Sequence, residues 1–322
     1  MTLPASTIQT FILFLLMSAG FAAGKTSILD EMTVKKLSRF LVNFVLPCLI
    51  VASMQQPLTP ELRMEAFRTL GLSFAIYASS FPLAFGFASL IRAKGPTRGV
   101  HAFAAVFANV AFMGFPVQQA LFGKAVLFQA SIFIIPFNLL AFSVGAAMIA
   151  GGVRSEGREP TLGGGAVHEA KLSWRSFVNP AGVSSIVGFA LFLADFRLPL
   201  PLFRAMSILG DTTTPLAMCI IGATLAETNL GNTLRDWRLW ASSAFRLLAL
   251  PLLLYLVLKT LGFTGIALGM PVMMAAMPVA ANLSFLSAAF GGDYRTASSL
   301  VFLSTAISLV SIPLLAAGLF GI

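Results

Sequence analysis

The sequence predicts an all-α membrane protein of ten transmembrane helices, built as two inverted five-helix repeats with broken helices 4 and 9. Three observations carry this expectation. The 322-residue chain is 57% hydrophobic and only 10% charged, with a mean hydropathy of +0.90. A soluble domain carries roughly 25% charged residues, so this chain cannot cover its surface for water and needs lipid as solvent. Ten apolar runs approach the about 20 residues that a helix needs to cross the hydrocarbon. Finally, Gly20-Phe21-Ala22 recurs as Gly188-Phe189-Ala190, Pro47 as Pro215 and Phe122-Gly123 as Phe290-Gly291, each at an interval of 168 residues. Five spans per copy is an odd number, so the two copies enter the bilayer in opposite senses, the plan of many secondary transporters.

The first half, 1–150, contains runs at 7–24, 37–54, 67–91, 100–121 and 125–150. The first run has no Lys or Arg before Lys25 and has a repeat partner at 177–194. It is therefore expected to be a permanent span and not a signal peptide, which needs a basic start. Residues 151–176 hold Arg154, Glu156, Arg158, Glu159, Glu169, Lys171 and Gly163-Gly164-Gly165, the composition of a solvated linker. His168 lies there without metal-ligand neighbours and is expected to be exposed. The second half, 177–322, contains runs at 177–194, 202–226, 238–261, 264–289 and 296–320.

Orientation follows from the basic residues of the loops. The odd-numbered connections hold 14 Lys and Arg and the even-numbered ones 6, which places the odd loops and the linker in the cytoplasm and both termini outside. The net charge of +9 is scattered over short loops without a basic helix or an aromatic-interleaved stripe, so nucleic-acid binding is not expected. Cys48 and Cys219 lie in apolar runs, with no metal-binding spacing, and read as small buried hydrophobes.

Proline inside a span removes a backbone donor and frees carbonyls. In lipid such groups need protein or water partners, so broken spans belong beside cavities. Span 4 carries Asn109, then Gly114-Phe115-Pro116, then Gln118 and Gln119. Span 9 carries Met277-Pro278, then Asn282-Leu283-Ser284. The expectation is two unwound helices crossing near the membrane centre, broken at Gly114–Pro116 and at Pro278. Their half-helix N-termini would offer N–H groups and a positive dipole end to a carboxylate. A simple kink in packed helices is the structural alternative.

Asn43 precedes Pro47 by four residues, and Asp211 precedes Pro215 by four. An ionised Asp within a span costs roughly 2.5–3.5 kcal/mol. Asp211, followed by three threonines, therefore reads as a helix N-cap near the surface, as a proton or sodium coupling site, or as a partner of Arg246. Arg246 stands alone in span 8. It is expected to snorkel outward unless it pairs with Asp211 or a substrate anion. Gln129, Ser131 and Asn138 give span 5 a polar side, as Ser304 and Thr305 do for span 10. Such residues serve helix packing or ligand contact.

Three segments resemble the auxin efflux carrier family, the plant PIN-formed carriers and their bacterial permease relatives. They are Asn109 to Pro116; Asn179-Pro180 with Ser184-Ser185 and Gly188, continuing through Ser207-Ile208-Leu209-Gly210-Asp211; and Ala275-Ala276-Met277-Pro278 continuing to Phe290-Gly291. The resemblance implies a fold like bile-acid-sodium symporters and sodium/proton antiporters. It implies a scaffold of spans 1, 2, 6 and 7, a transport domain of spans 3–5 and 8–10, a site at crossing spans 4 and 9, and frequent dimers. By position, Asn109 and Pro116 match the family's crossover and Asp211 an acidic residue of span 7. The second span-9 proline of plant members, their charged residues inside span 3 and their long cytoplasmic loop have no counterpart here. This points away from auxin and toward small organic acids such as malonate or malate.

The combined expectation is a secondary carrier of a small organic anion in the inner membrane, driven without cofactors or by a proton or sodium gradient. Asn109, Gly114, Pro116, Gln118, Pro278, Asn282 and Ser284 form its candidate binding set; Asn43, Asp211, Gln129, Asn138 and Arg246 are candidates for coupling or cavity lining. A sodium-coupled organic-acid or bile-acid-type symporter is the alternative. An intramembrane enzyme needs paired acid/base groups or metal ligands within spans; His101 and His168 stand near no intramembrane acid, so none is expected.

Overall fold

The computed structural model describes residues 5–154, 161–162, 165–166, 180–227 and 235–321. Apart from a two-residue antiparallel pairing of Thr161–Leu162 with Gly165–Ala166, these residues are helical or in short connections. The expected linker lies largely outside the described residues, and His168 entirely so.

The helices in order are α1 (Ala5–Lys25), α2 (Glu31–Ser53), α3 (Pro60–Leu90), α4 (Gly95–Val106), α5 (Val110–Phe122), α6 (Val126–Gly152), α7 (Pro180–Leu193), α8 (Leu200–Ala226), α9 (Trp237–Thr260), α10 (Gly265–Ala275), α11 (Asn282–Ala289) and α12 (Tyr294–Phe320). Six of them, α2, α3, α6, α8, α9 and α12, are long and apolar enough to cross a membrane unaided. The pairs α4/α5 and α10/α11 occupy the runs expected for spans 4 and 9, each divided in two.

Local chemistry sets the helix starts. Asp30 and Thr59 cap α2 and α3 by accepting the Thr33 and Leu62 N–H at 2.8 and 3.1 Å. Asp293 caps α12 in the same way, at Thr296. Gly123, at φ +79°, makes the turn between α5 and α6 that a residue with a Cβ adopts only under strain.

Three prolines leave a consistent mark. Pro47, Pro116 and Pro251 each follow a wide, π-type turn, at Leu41–Val45, Val110–Gly114 and Phe245–Ala249 respectively. The widened turn accommodates the missing N–H without ending the helix. This corrects the expected break at Gly114–Pro116: Pro116 sits in the first turn of the regular part of α5. The chain instead breaks at Phe107–Asn109, where Phe107 is extended and Asn109 leaves helical geometry.

The helices pack as two bundles. One brings α1 onto α8 and places α2 against α7 and α8; the other holds α3, α4 and α6, and α9 through α12; α5 meets both α1 and α6, and α6 meets α7, so the two are in direct contact. Lipid supplies no hydrophobic drive between helices, so close backbone approach over small residues holds them. A Cβ built on Gly222 would lie 2.0 Å from the Met17 carbonyl oxygen, and one on Gly20 2.2 Å from that of Cys219. Gly99 approaches Met148 on α6 equally closely, at 2.3 Å.

These contacts set a graded expectation. Gly222→Ala forces α1 and α8 apart and costs about 1–3 kcal/mol, read as a lower melting temperature of the detergent-purified protein. Gly71→Ala, where an added Cβ meets nothing within 4 Å, leaves that temperature unchanged or slightly raised.

Candidate functional site

The two broken spans meet at their breaks. Ala108 and Val279 form an isolated antiparallel bridge: the Asn109 N–H donates to the Pro278 carbonyl at 2.7 Å, and the Ala280 N–H to the Phe107 carbonyl at 3.0 Å. The Val279 N–H donates to Ser304 Oγ on α12 at 3.0 Å. Each break therefore supplies partners that the other needs, as backbone removed from water requires.

Three further carbonyls go to Arg246. Its Nη1 donates to the Ala105 and Val106 oxygens at 2.9 and 3.2 Å, and its Nε to Met277 O at 3.2 Å. The guanidinium thus joins the carbonyl ends of α4 and α10, where the helix dipoles are negative. The residue is 4% exposed. Outward snorkelling is corrected by this placement, because the freed carbonyls offer more than the distant interface. The expected Asp211–Arg246 pairing is corrected as well. Asp211 ends the first part of α8, and its carboxylate accepts from Lys124 Nζ at 2.7 Å with 46% of the side chain exposed. Being the last residue of that helical segment, it is not an N-cap.

On one side of the crossing lies a cavity of about 150 Å³. Asn109, Asn138 and Asn282 supply its amides, Phe112 and Phe137 aromatic walls, and Val42, Leu46 and Ala181 of the other bundle its far side. Asn109 Oδ1 caps α5 by accepting the Phe112 N–H at 3.1 Å. Asn138 Nδ2 and Asn282 Oδ1 are buried without a partner. An unpaired buried donor and acceptor carry a desolvation cost that a bound polar ligand would offset. The N-terminal ends of α5 and α11 open beside the same space.

The structure thus brings Asn109, Asn138 and Asn282 together, with Pro278 at the bridge beneath them. The other candidates lie elsewhere. Gln118 is fully buried and spans to α10, its Nε2 donating to Met270 O at 3.1 Å. Gly114 lets α10 approach, since a Cβ there would stand 3.0 Å from Met274 Sδ. Pro116 is buried in the packing, and Ser284 accepts from Ser298 Oγ at 3.4 Å. Asn43 is exposed, and its Nδ2 donates to Arg39 O at 2.7 Å. Gln129 bonds the Glu65 carboxylate in a separate cavity of about 540 Å³ that Glu61 and Arg68 also line. Sequence reasoning missed the carbonyl clamp of Arg246, and also the buried contact of His101 Nδ1 with Ser242 Oγ at 2.7 Å. The signal for the clamp was a lone cation at the depth of two helix breaks.

Three matches to known proteins place the chain among transporters. The model of the family described as "Membrane transport protein" matches residues 5–161 and 166–316. The chain is similar to a "Putative malonate transporter" of Rhizobium meliloti, 24% identical over 86% of this chain and 84% of the relative. It is also similar to an "Uncharacterized transporter" of Methanothermobacter thermautotrophicus, 27% identical over 96% of this chain and 97% of the relative.

Two expectations follow from the clamp and the ion pair. Arg246→Met forfeits three charge-assisted bonds at about 1.5–3 kcal/mol each, against relief of roughly 2.5–3.5 kcal/mol for the buried charge. Thermal or denaturant unfolding should therefore register a net loss, with Arg246→Lys intermediate. Asp211→Asn removes only an exposed pair and should cost less than about 1 kcal/mol in the same measurement.

Proposed function

The chain belongs to the membrane transport protein family, which is the auxin efflux carrier family that its sequence resembles, and from this premise we propose that it is a carrier of a small organic anion. It is a multi-pass membrane transporter and not an enzyme. The observation that carries the proposal is the cavity at the crossing, where three amides and two helix N-termini converge between the two bundles. A carboxylate would accept from Asn109 Nδ2, Asn138 Nδ2 and the N–H groups of α5 and α11, with the helix dipoles favouring its charge.

In this reading the ten crossings form two inverted five-helix repeats. The bundle of α1, α2, α7 and α8 is the scaffold, and the other carries the site past it, so that the cavity opens alternately to each side. No cofactor enters the cycle; a proton or sodium gradient would drive it. The membrane is the inner membrane, with both termini outside. The name of the Rhizobium meliloti relative makes malonate the first acid to test.

The test is uptake of radiolabelled malonate, malate and other short carboxylates into proteoliposomes. Asn109→Ala and Asn138→Ala each remove an amide worth about 1.5–3 kcal/mol to a charged ligand, so each should lower uptake by about ten- to a hundredfold while the protein stays folded. Unchanged uptake by both variants, for every acid that the parent protein carries, would remove the crossing as the site.

A further inference from the structure

Arg246 bounds a second cavity, distinct from the one that the three asparagines line. This cavity measures about 210 Å³, and Tyr77, Ser80, Leu250, Leu254 and Met274 also line it. Nε and Nη1 of Arg246 are spent on the carbonyls of Ala105, Val106 and Met277, but Nη2, with two further N–H groups, has no hydrogen-bond partner among the described residues. Among the described residues no carboxylate pairs with it at salt-bridge distance. The carbonyls offer only partial charges, so the guanidinium remains a net cation inside a low-dielectric bundle.

The depth and the mouth of this cavity narrow the choice of occupant. Arg246 lies nine residues beyond Trp237 in α9, about 14 Å along the axis at 1.5 Å per residue. That is near the middle of the hydrocarbon and far from the phosphates of bilayer lipids. The rim includes Leu83, Leu253 and Val257, which are 41%, 44% and 44% exposed within the C-terminal parts of the apolar helices α3 and α9. Such positions face acyl chains, so the cavity opens sideways into the bilayer.

We propose that this cavity binds an amphiphilic monocarboxylate of the fatty-acid type, drawn from the membrane. Its carboxylate accepts from Arg246 Nη2, and its aliphatic tail leaves between α3 and α9 over Leu83, Leu253 and Val257. The head group completes the hydrogen bonding of the guanidinium and supplies the missing counter-charge.

The experiment is equilibrium binding of radiolabelled laurate to the full chain in lipid nanodiscs, with empty nanodiscs as blank and dodecanol as the uncharged counterpart. The expected result is saturable laurate binding at one per chain, with dodecanol at least about tenfold weaker. Leu254→Trp and, from the opposite wall, Ser80→Phe fill the cavity while keeping Arg246, and each should weaken laurate binding by a similar factor. Laurate bound no better than to empty nanodiscs, or no better than dodecanol, overturns the proposal. So does undiminished laurate binding in whichever filled variant remains folded. The readout is binding alone, so it stands apart from whether the crossing carries malonate.

Discussion

Backbone groups taken out of water must be paired, and the rest of this molecule is arranged around that demand at one place. Two helices are opened at the same depth, which frees carbonyls and N–H groups in a region where water is scarce. The pairing is reciprocal: Asn109 to Pro278, Ala280 to Phe107, Val279 to Ser304, and three carbonyls to Arg246. Neither break would be tolerable alone. The crossing is therefore one unit drawn from α4, α5, α9, α10, α11 and α12, and Asn109, Arg246 and Ser304 serve it directly.

A small cavity follows from that arrangement. Breaking a helix leaves room beside it, and the side chains that reach the room are those that can also serve the backbone. Asn109 shows both roles: it caps α5 through Oδ1 while its amide group lines the cavity. Asn138 and Asn282 reach the same space from α6 and α11, with polar atoms left over. The walls supplied by Val42, Leu46 and Ala181 come from the other bundle, so the space has one polar side and one apolar side belonging to different bodies.

Much of this was legible in the sequence, and the exceptions have a common cause. The apolar runs, the division of spans 4 and 9 and the position of Asn109 and Asn282 beside the breaks could be read from composition and spacing, because lipid makes every polar interruption conspicuous. Pro116 misled because proline has two accommodations. At Pro278 the helix ends, whereas at Pro47, Pro116 and Pro251 a wide turn absorbs the missing donor. Which one occurs depends on tertiary partners, and periodicity is blind to these. Arg246 misled for the same reason. Snorkelling is the default for an isolated basic residue, and only the fold shows that carbonyls from sequence positions about 140 and 31 residues away converge on it. For Asp211 a place near the surface was among the readings, but its partner Lys124, 87 residues away, is one that no local pattern encodes.

The glycine contacts carry a mechanical implication. Where Gly222 and Gly20 let α1 and α8 touch backbone to backbone, no side chain stands between the helices at those two points to yield. Compliance is then displaced to surfaces where longer side chains mediate contact, among them the facing walls of the asparagine-lined cavity. A seam joined through backbone and one joined through longer side chains differ in how readily each gives.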